Sequence, residues 1–169
     1  LPDKSSPWAE EGTRAHKLLE NLLRGLKVPG PNGPRHWCVP FPKDTPLEMI
    51  RHVTSAATFM MKKWRENPEA DFLIETKIHL PFIHPEMFGT FDGAVVDHFG
   101  TLHVFDFKYG AGVPVSPKEN LQMIFYAIGL AHLYQWNFKR VRVWIIQPRI
   151  RGYDGPTFWE MKTLRLKGW

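Results

Sequence analysis

The sequence predicts an α/β fold, a central mixed β-sheet flanked by α-helices. Three observations lead there. Three segments repeat apolar residues at three- and four-residue spacing, as one-sided helices do. Shorter segments rich in β-branched and aromatic residues are bounded by turn formers, as strands are. Their order along the chain is helix, helix, three strands, helix, strand, and such elements bury their apolar faces only in layers. At 169 residues the chain suits one domain over 1–169, trimmed at one or both ends.

The first helix is marked by Ser6 as N-cap, Pro7 at the first helical position, and Glu10 and Glu11 against the helix dipole. Ala15, Leu18, Leu19, Leu22, Leu23 and Leu26 give it one apolar face ending near Leu26. Gly30, Pro31, Gly33, Pro34, Pro40 and Pro42 make the stretch from Val28 to Lys43 an irregular connection. Thr45, Pro46 and Glu48 spell a capping box for a second helix that turns Ile50, Val53, Ala57, Met60 and Trp64 inward, with Met60 and Met61 as core filler. Asn67 and Pro68 end it. Phe72 to Leu80 is a strand, and Phe88 to Val96 and Leu102 to Phe107 flank a turn at His98, Phe99 and Gly100. Ser116, Pro117 and Glu119 spell another capping box, for a helix through Leu121, Ile124, Phe125, Ile128 and Leu133. Val141 to Ile146 is a strand, Gly152 to Pro156 a turn, and Phe158 to Leu166 an edge strand or a piece of helix.

Composition narrows the function. With 43% hydrophobic and 23% charged residues the chain is an ordinary globular protein. Its lone cysteine, Cys38, cannot close an internal disulfide, which makes the cytoplasm the default compartment. His36-x-Cys38 is too few ligands for a closed zinc site. No apolar run is long enough to span a membrane, so none is expected as a partner. A net charge of +5 suits a polyanionic partner, although a solvated basic surface would look the same.

Two acids stand where a buried sheet does not usually carry them: Asp92 on one strand of the hairpin and Asp106 on the next. A carboxylate taken out of water costs several kcal/mol unless it is paired or metal-bound. Asp106 and Lys108 are two apart on a strand and share a face, so two carboxylates and an ammonium can converge there. Hard oxygen ligands of this type suit Mg²⁺ or Mn²⁺. The bland alternative is an ion pair on an edge strand. Gly12 and His16 lie four apart on the first helix, and Gln122 and Tyr126 repeat that spacing on the third, each pair close to one face.

The ordered set Gly12-Thr13-Arg14-Ala15-His16, Glu75, Gly89-Thr90-Phe91-Asp92-Gly93, Asp106-Phe107-Lys108-Tyr109-Gly110 and Gln122-x-x-x-Tyr126 resembles the PD-(D/E)XK nuclease superfamily in its RecB-type branch. It is most similar to a phage-encoded group described as a domain of unknown function, in which segments like Ser6 to His16, Asp106 to Gly110, Asn120 to Tyr126 and Ile146-Gln147-Pro148-Arg149 recur. The resemblance spans Ser6 to Arg149 and implies a restriction-endonuclease-like core.

By that resemblance His16, Asp92, Asp106 and the backbone carbonyl of Phe107 bind Mg²⁺ or Mn²⁺, Lys108 is the catalytic lysine, and Gln122 and Tyr126 support it and the DNA strand. Glu75 either approaches the metal or faces solvent. The four cysteines that hold an iron–sulfur cluster in some members of the branch are missing, so no cluster is expected. Arg14, Lys17, Arg140, Arg142, Arg149 and Arg151 are candidates for gripping phosphates, and Trp37 or Tyr109 for stacking on an unpaired base. Most of the seven tryptophans are expected in the core. The resemblance implies a metal-dependent deoxyribonuclease, an exonuclease of phage or prophage recombination or replication, acting on DNA with a recombination or replication partner protein in the bacterial host cytoplasm. A structure-specific endonuclease, a non-cleaving DNA-binding module with the same fold, and a structural phage protein are the alternatives.

Overall fold

Ser6 opens the first helix as the sequence places it: its hydroxyl accepts the Ala9 backbone N–H at 3.3 Å, and α1 runs Pro7–Lys27. The computed structural model describes residues 6–27, 40–67, 69–81, 84–98 and 100–168. The expectations for His36, Trp37, Cys38, Pro68, Phe99 and most of the Val28 to Lys43 connection lie outside them. After α1 come α2 (Leu47–Arg65), β1 (Asp71–His79), β2 (Phe88–Val96), β3 (Thr101–Phe107), α3 (Leu121–Leu133), β4 (Arg140–Ile146), β5 (Thr157–Lys162) and α4 (Thr163–Leu166). Phe158 to Leu166 is thus an edge strand and a short helix in succession.

The five strands pair in chain order, β1-β2-β3-β4-β5. All neighbours are antiparallel except β3 and β4, which run parallel with Phe105 opposite Trp144 and Phe107 opposite Ile146. A parallel pair needs a crossover, and α3 supplies it. The sheet is therefore mixed, with helices on both faces. On one face Leu19, Leu23, Val53 and Met60 from α1 and α2 meet Phe72, Phe105, Phe107 and Trp144. On the other, Met123, Ala127 and Leu130 from α3 meet Phe91, Val104, Val141 and Val143. Between two cores, β3 is buried along nearly its whole length, which makes the carboxylate of Asp106 conspicuous.

Both cores draw on the β1–β2 hairpin in an unusual way. Side chains an even number apart on a strand share a face, yet Ile74 lies in the α1/α2 core and Ile78 in the α3 core. Val95 and Phe91 divide the same way on β2. The switch falls between the pairs Ile74↔Gly93 and Thr76↔Phe91, where Glu75 takes a left-handed backbone with φ 42° and Asp92 stands opposite. Two acids thus mark the point where the hairpin exchanges one core for the other.

Two helix starts differ from the expected capping boxes. The N-cap of α2 is Pro46, with no side-chain cap, one residue on from Thr45, whose Oγ1 accepts from Arg14 Nη2 at 3.2 Å. At α3 the cap is Asn120, whose side chain accepts the Met123 N–H at 3.2 Å. Ser116 instead accepts from Lys118 N in a local turn, and Glu119 at φ 55° breaks any earlier helix. Of the described tryptophans only Trp144 is fully buried, while Trp64, Trp136 and Trp159 are partly so and Trp8 is exposed.

Candidate functional site

At the seam where β1 and β2 exchange cores, an open cleft of about 770 Å³ is lined by His16, Glu75, Asp92, Asp106, Lys108 and Gln122, among others. These six come from α1, β1, β2, β3 with the residue after it, and α3. His16 reaches in from a half-buried position on α1, where its ring meets Phe107 edge-on at 5.5 Å. Gly12, one turn earlier, also lines the cleft, and a Cβ there would meet nothing within 4 Å.

Asp92 is held at both oxygens. Oδ1 lies 2.7 Å from His16 Nδ1, and Oδ2 accepts the Phe107 backbone N–H at 2.6 Å. Phe107 therefore reaches the site through a donor, with its ring in the α1/α2 core. Asp106 is only 5% exposed, and its Oδ2 lies 3.0 Å from Lys108 Nζ. That oxygen has a charge partner but no aligned hydrogen-bond donor. Lys108 Nζ also donates to Gln122 Oε1 at 3.3 Å, and Gln122 Nε2 donates to Tyr126 OH at 2.8 Å. The three side chains form a chain anchored in the α3 core, with Tyr126 behind the wall.

The electrostatics show a surplus of negative charge. Burial raises the Asp106 carboxyl above its ordinary range, the Asp92 charge adds to this, and Lys108 opposes it. Glu75 is raised by burial and by the charges of Asp92 and Glu20. Burial lowers the His16 imidazole, but the Asp92 hydrogen bond and the charges of Asp92, Asp106 and Glu75 outweigh this and raise it. Acids that resist ionising beside a histidine that favours protonation mark a place suited to positive charge. Among the described residues, however, no three His, Cys, Asp or Glu side chains form a ready-made metal cage. Mg²⁺ keeps several waters and binds through one or two carboxylates, so the donor set fits an ion of this type without such a cage.

The structure thus gathers His16, Glu75, Asp92, Asp106, Lys108 and Gln122 at one cleft, with Tyr126 and the Phe107 backbone in support, and Glu75 faces the cleft. Other candidates have partners within the chain. Arg149 is held by Glu11 at 2.7 Å and lies over the Tyr109 ring, so it ties α1 to the sheet. Tyr109 lies beneath it, 3% exposed, in the wall of the cleft. Arg14 pairs with Asp44, and Arg142 with Glu160.

Two further residues belong to the site, one unmarked in the sequence reading and one named there without a role. Glu20 lines the cleft between Lys17 and Arg24, four residues after His16, a spacing that was available to find it. Gln147 is buried and clamps the Gly110–Val115 loop, accepting from Val115 N at 2.9 Å and donating to Val113 O at 3.2 Å. The Ile146-Gln147-Pro148-Arg149 segment marks its place in the sequence, but not the loop it clamps.

A solved structure described as "Crystal structure of SSO0001" matches 72% of this chain and 57% of that chain, at 12% identity and a TM-score of 0.29, too slight a likeness to bear on fold or function. The family model described as "Protein of unknown function (DUF2800)" matches residues 1–169. The chain therefore belongs to that family.

Proposed function

We propose that the chain is a Mg²⁺- or Mn²⁺-dependent deoxyribonuclease of the PD-(D/E)XK type, with a restriction-endonuclease-like core. It hydrolyses DNA phosphodiester bonds, as an exonuclease of phage or prophage recombination or replication. One observation carries this: Asp92 and Asp106, from neighbouring strands, meet His16 and Lys108 at a single open cleft.

Asp92 and Asp106 would hold the ion, with Glu75 and His16 beside them. Bound there, it would polarise the phosphoryl oxygen and make the attacking water more acidic. The chain's own groups do the rest. The Phe107 N–H and His16 fix both oxygens of Asp92. Asp106 and Gln122 hold Lys108 from two sides, so its ammonium is preorganised for the charge that develops on the phosphate. Gln122 is itself oriented by Tyr126.

Digestion of end-labelled linear and closed circular DNA, single- and double-stranded, tests the proposal. Mn²⁺ or Mg²⁺ should switch cutting on, linear DNA should be preferred, and Lys108→Ala should reduce the rate by about 10²–10³-fold or more while folding survives. A fully active Lys108→Ala protein ends the proposal. A second reading, a DNA-binding module that does not cut, is favoured by the lack of a three-donor cage among the described residues. Calorimetric titration with Mn²⁺ separates the two: heat in the wild type that is lost in Asp106→Ala supports cutting, and no heat in either supports the module.

A further inference from the structure

The outer half of the β1–β2 hairpin is finished on one side only. Ile78 and Phe91 face α3, and Gly129 of α3 lies so close that a Cβ on it would come within 2.3 Å of Ile78. The opposite side carries Lys77 and His79 from β1, and Phe88 and Thr90 from β2, all exposed. In register Lys77 is opposite Thr90 and His79 opposite Phe88, so the four make a compact block. Phe88 is 60% exposed, a large aromatic ring set in a flat strand face. Lys77 Nζ lies 3.8 Å from the centre of that ring, and the His79 ring is 6.2 Å away.

This block is continuous with the cleft. Thr90 lines the cleft, as does Glu75, two residues before Lys77. From Thr90 to Phe88 is two strand residues, about 7 Å, or roughly two stacked nucleotides. Single-strand binding proteins combine exposed rings, on which bases stack, with cations that track the phosphates; Lys77 stands over one face of Phe88 and swings off it to meet a phosphate when a base takes that face. Bases within a duplex are stacked on their neighbours and cannot lie on such a ring, so the feature selects an unpaired strand.

We infer that the Lys77–His79–Phe88–Thr90 face binds a single DNA strand next to the cleft, with a base stacked on Phe88 and Lys77 at its phosphate. The inference rests on the nuclease reading only for the identity of the polymer in the cleft. It makes unpaired DNA the preferred substrate.

Fluorescence anisotropy of labelled oligothymidine tests it, in a Lys108→Ala background with Mn²⁺ so that the probe survives. A probe about twelve nucleotides long spans cleft plus hairpin. Phe88→Ala and Lys77→Ala should each weaken its binding by about tenfold. Phe88→Tyr should restore it, and a blunt duplex should not respond to Phe88→Ala. Equal affinity of the parent and Phe88→Ala for this probe overturns the inference. So does an equal loss on duplex, or no binding of any single strand by the parent. Digestion by the wild type is scored separately. Cutting without a Phe88 effect sinks only the hairpin site, and a Phe88 effect without cutting sinks only the nuclease.

Discussion

Lys108 has two partners, and they do different work. Asp106 supplies charge at 3.0 Å, while Gln122 supplies direction at 3.3 Å. Gln122→Leu keeps the charge and removes the direction, so the rate should fall by roughly 10- to 100-fold with the fold intact, read as kcat on a DNA substrate. A second residue, far from the cleft, governs acid stability. His103 is buried beside Phe105 and Trp144, and its Nδ1 accepts the Trp144 indole N–H at 3.1 Å. Burial, with Arg142 and Lys63 nearby, lowers its pKa from 6.5 to about 4. The unfolded chain then binds the extra proton first as pH falls. The stabilisation is complete above about pH 6.5 and is lost progressively toward pH 4, by about 3 kcal/mol. Urea unfolding across that range checks it: His103→Gln keeps an acceptor for Trp144 but should flatten the slope. Asp92, Asp106 and Lys108 were legible because carboxylates in apolar strands demand an explanation. His103 was not, because a histidine on a strand looks the same whether it titrates or packs.

At the scale of elements, close approaches decide how well the site is built. Gly89 on β2 has Tyr126 of α3 directly above it, and a Cβ there would lie 2.5 Å from Tyr126 Cε1. Gly89→Ala must displace the ring that anchors Gln122. It should cost about 1–3 kcal/mol in denaturant unfolding and lower activity with it, whereas Gly12→Ala, which meets nothing, should be mild in stability. Strand and helix positions were legible from periodicity to within a residue or so, since burial on one or both faces imposes the pattern. The starts of α2 and α3 were not. A capping box is a local signal, and at both ends the helix begins past it, with the hydroxyls bonded elsewhere: Thr45 to Arg14, and Ser116 to the Lys118 N–H. The asparagine that does cap α3 lies in the same stretch and has the ordinary capping chemistry.

For the whole molecule, the acid cluster is a standing cost. Asp106 is buried, opposed by Asp92, and only partly relieved by Lys108. An ion that binds the folded chain alone stabilises it by mass action, about 2.7 kcal/mol at a hundredfold excess over Kd. Thermal unfolding should therefore rise by about 5–10 °C with saturating Mn²⁺ in the wild type and by much less in Asp106→Asn. In EDTA, Asp106→Asn should melt no lower than the wild type, because it removes a charge the fold holds unwillingly. The layered α/β arrangement was legible because element order and apolar periodicity agree, level upon level. The change of faces within β1 and β2 was not, since it rests on the backbone angle of Glu75, a residue whose type gives no hint of a positive φ.

That change of faces also divides the hairpin between two neighbourhoods that need not loosen together. Amides on the inner half share the fate of the two leading helices, and those on the outer half share the fate of the crossover helix. Glu75 and Asp92 sit on the border, so a small relative shift of the two halves would reach the carboxylates before it disturbed either interior.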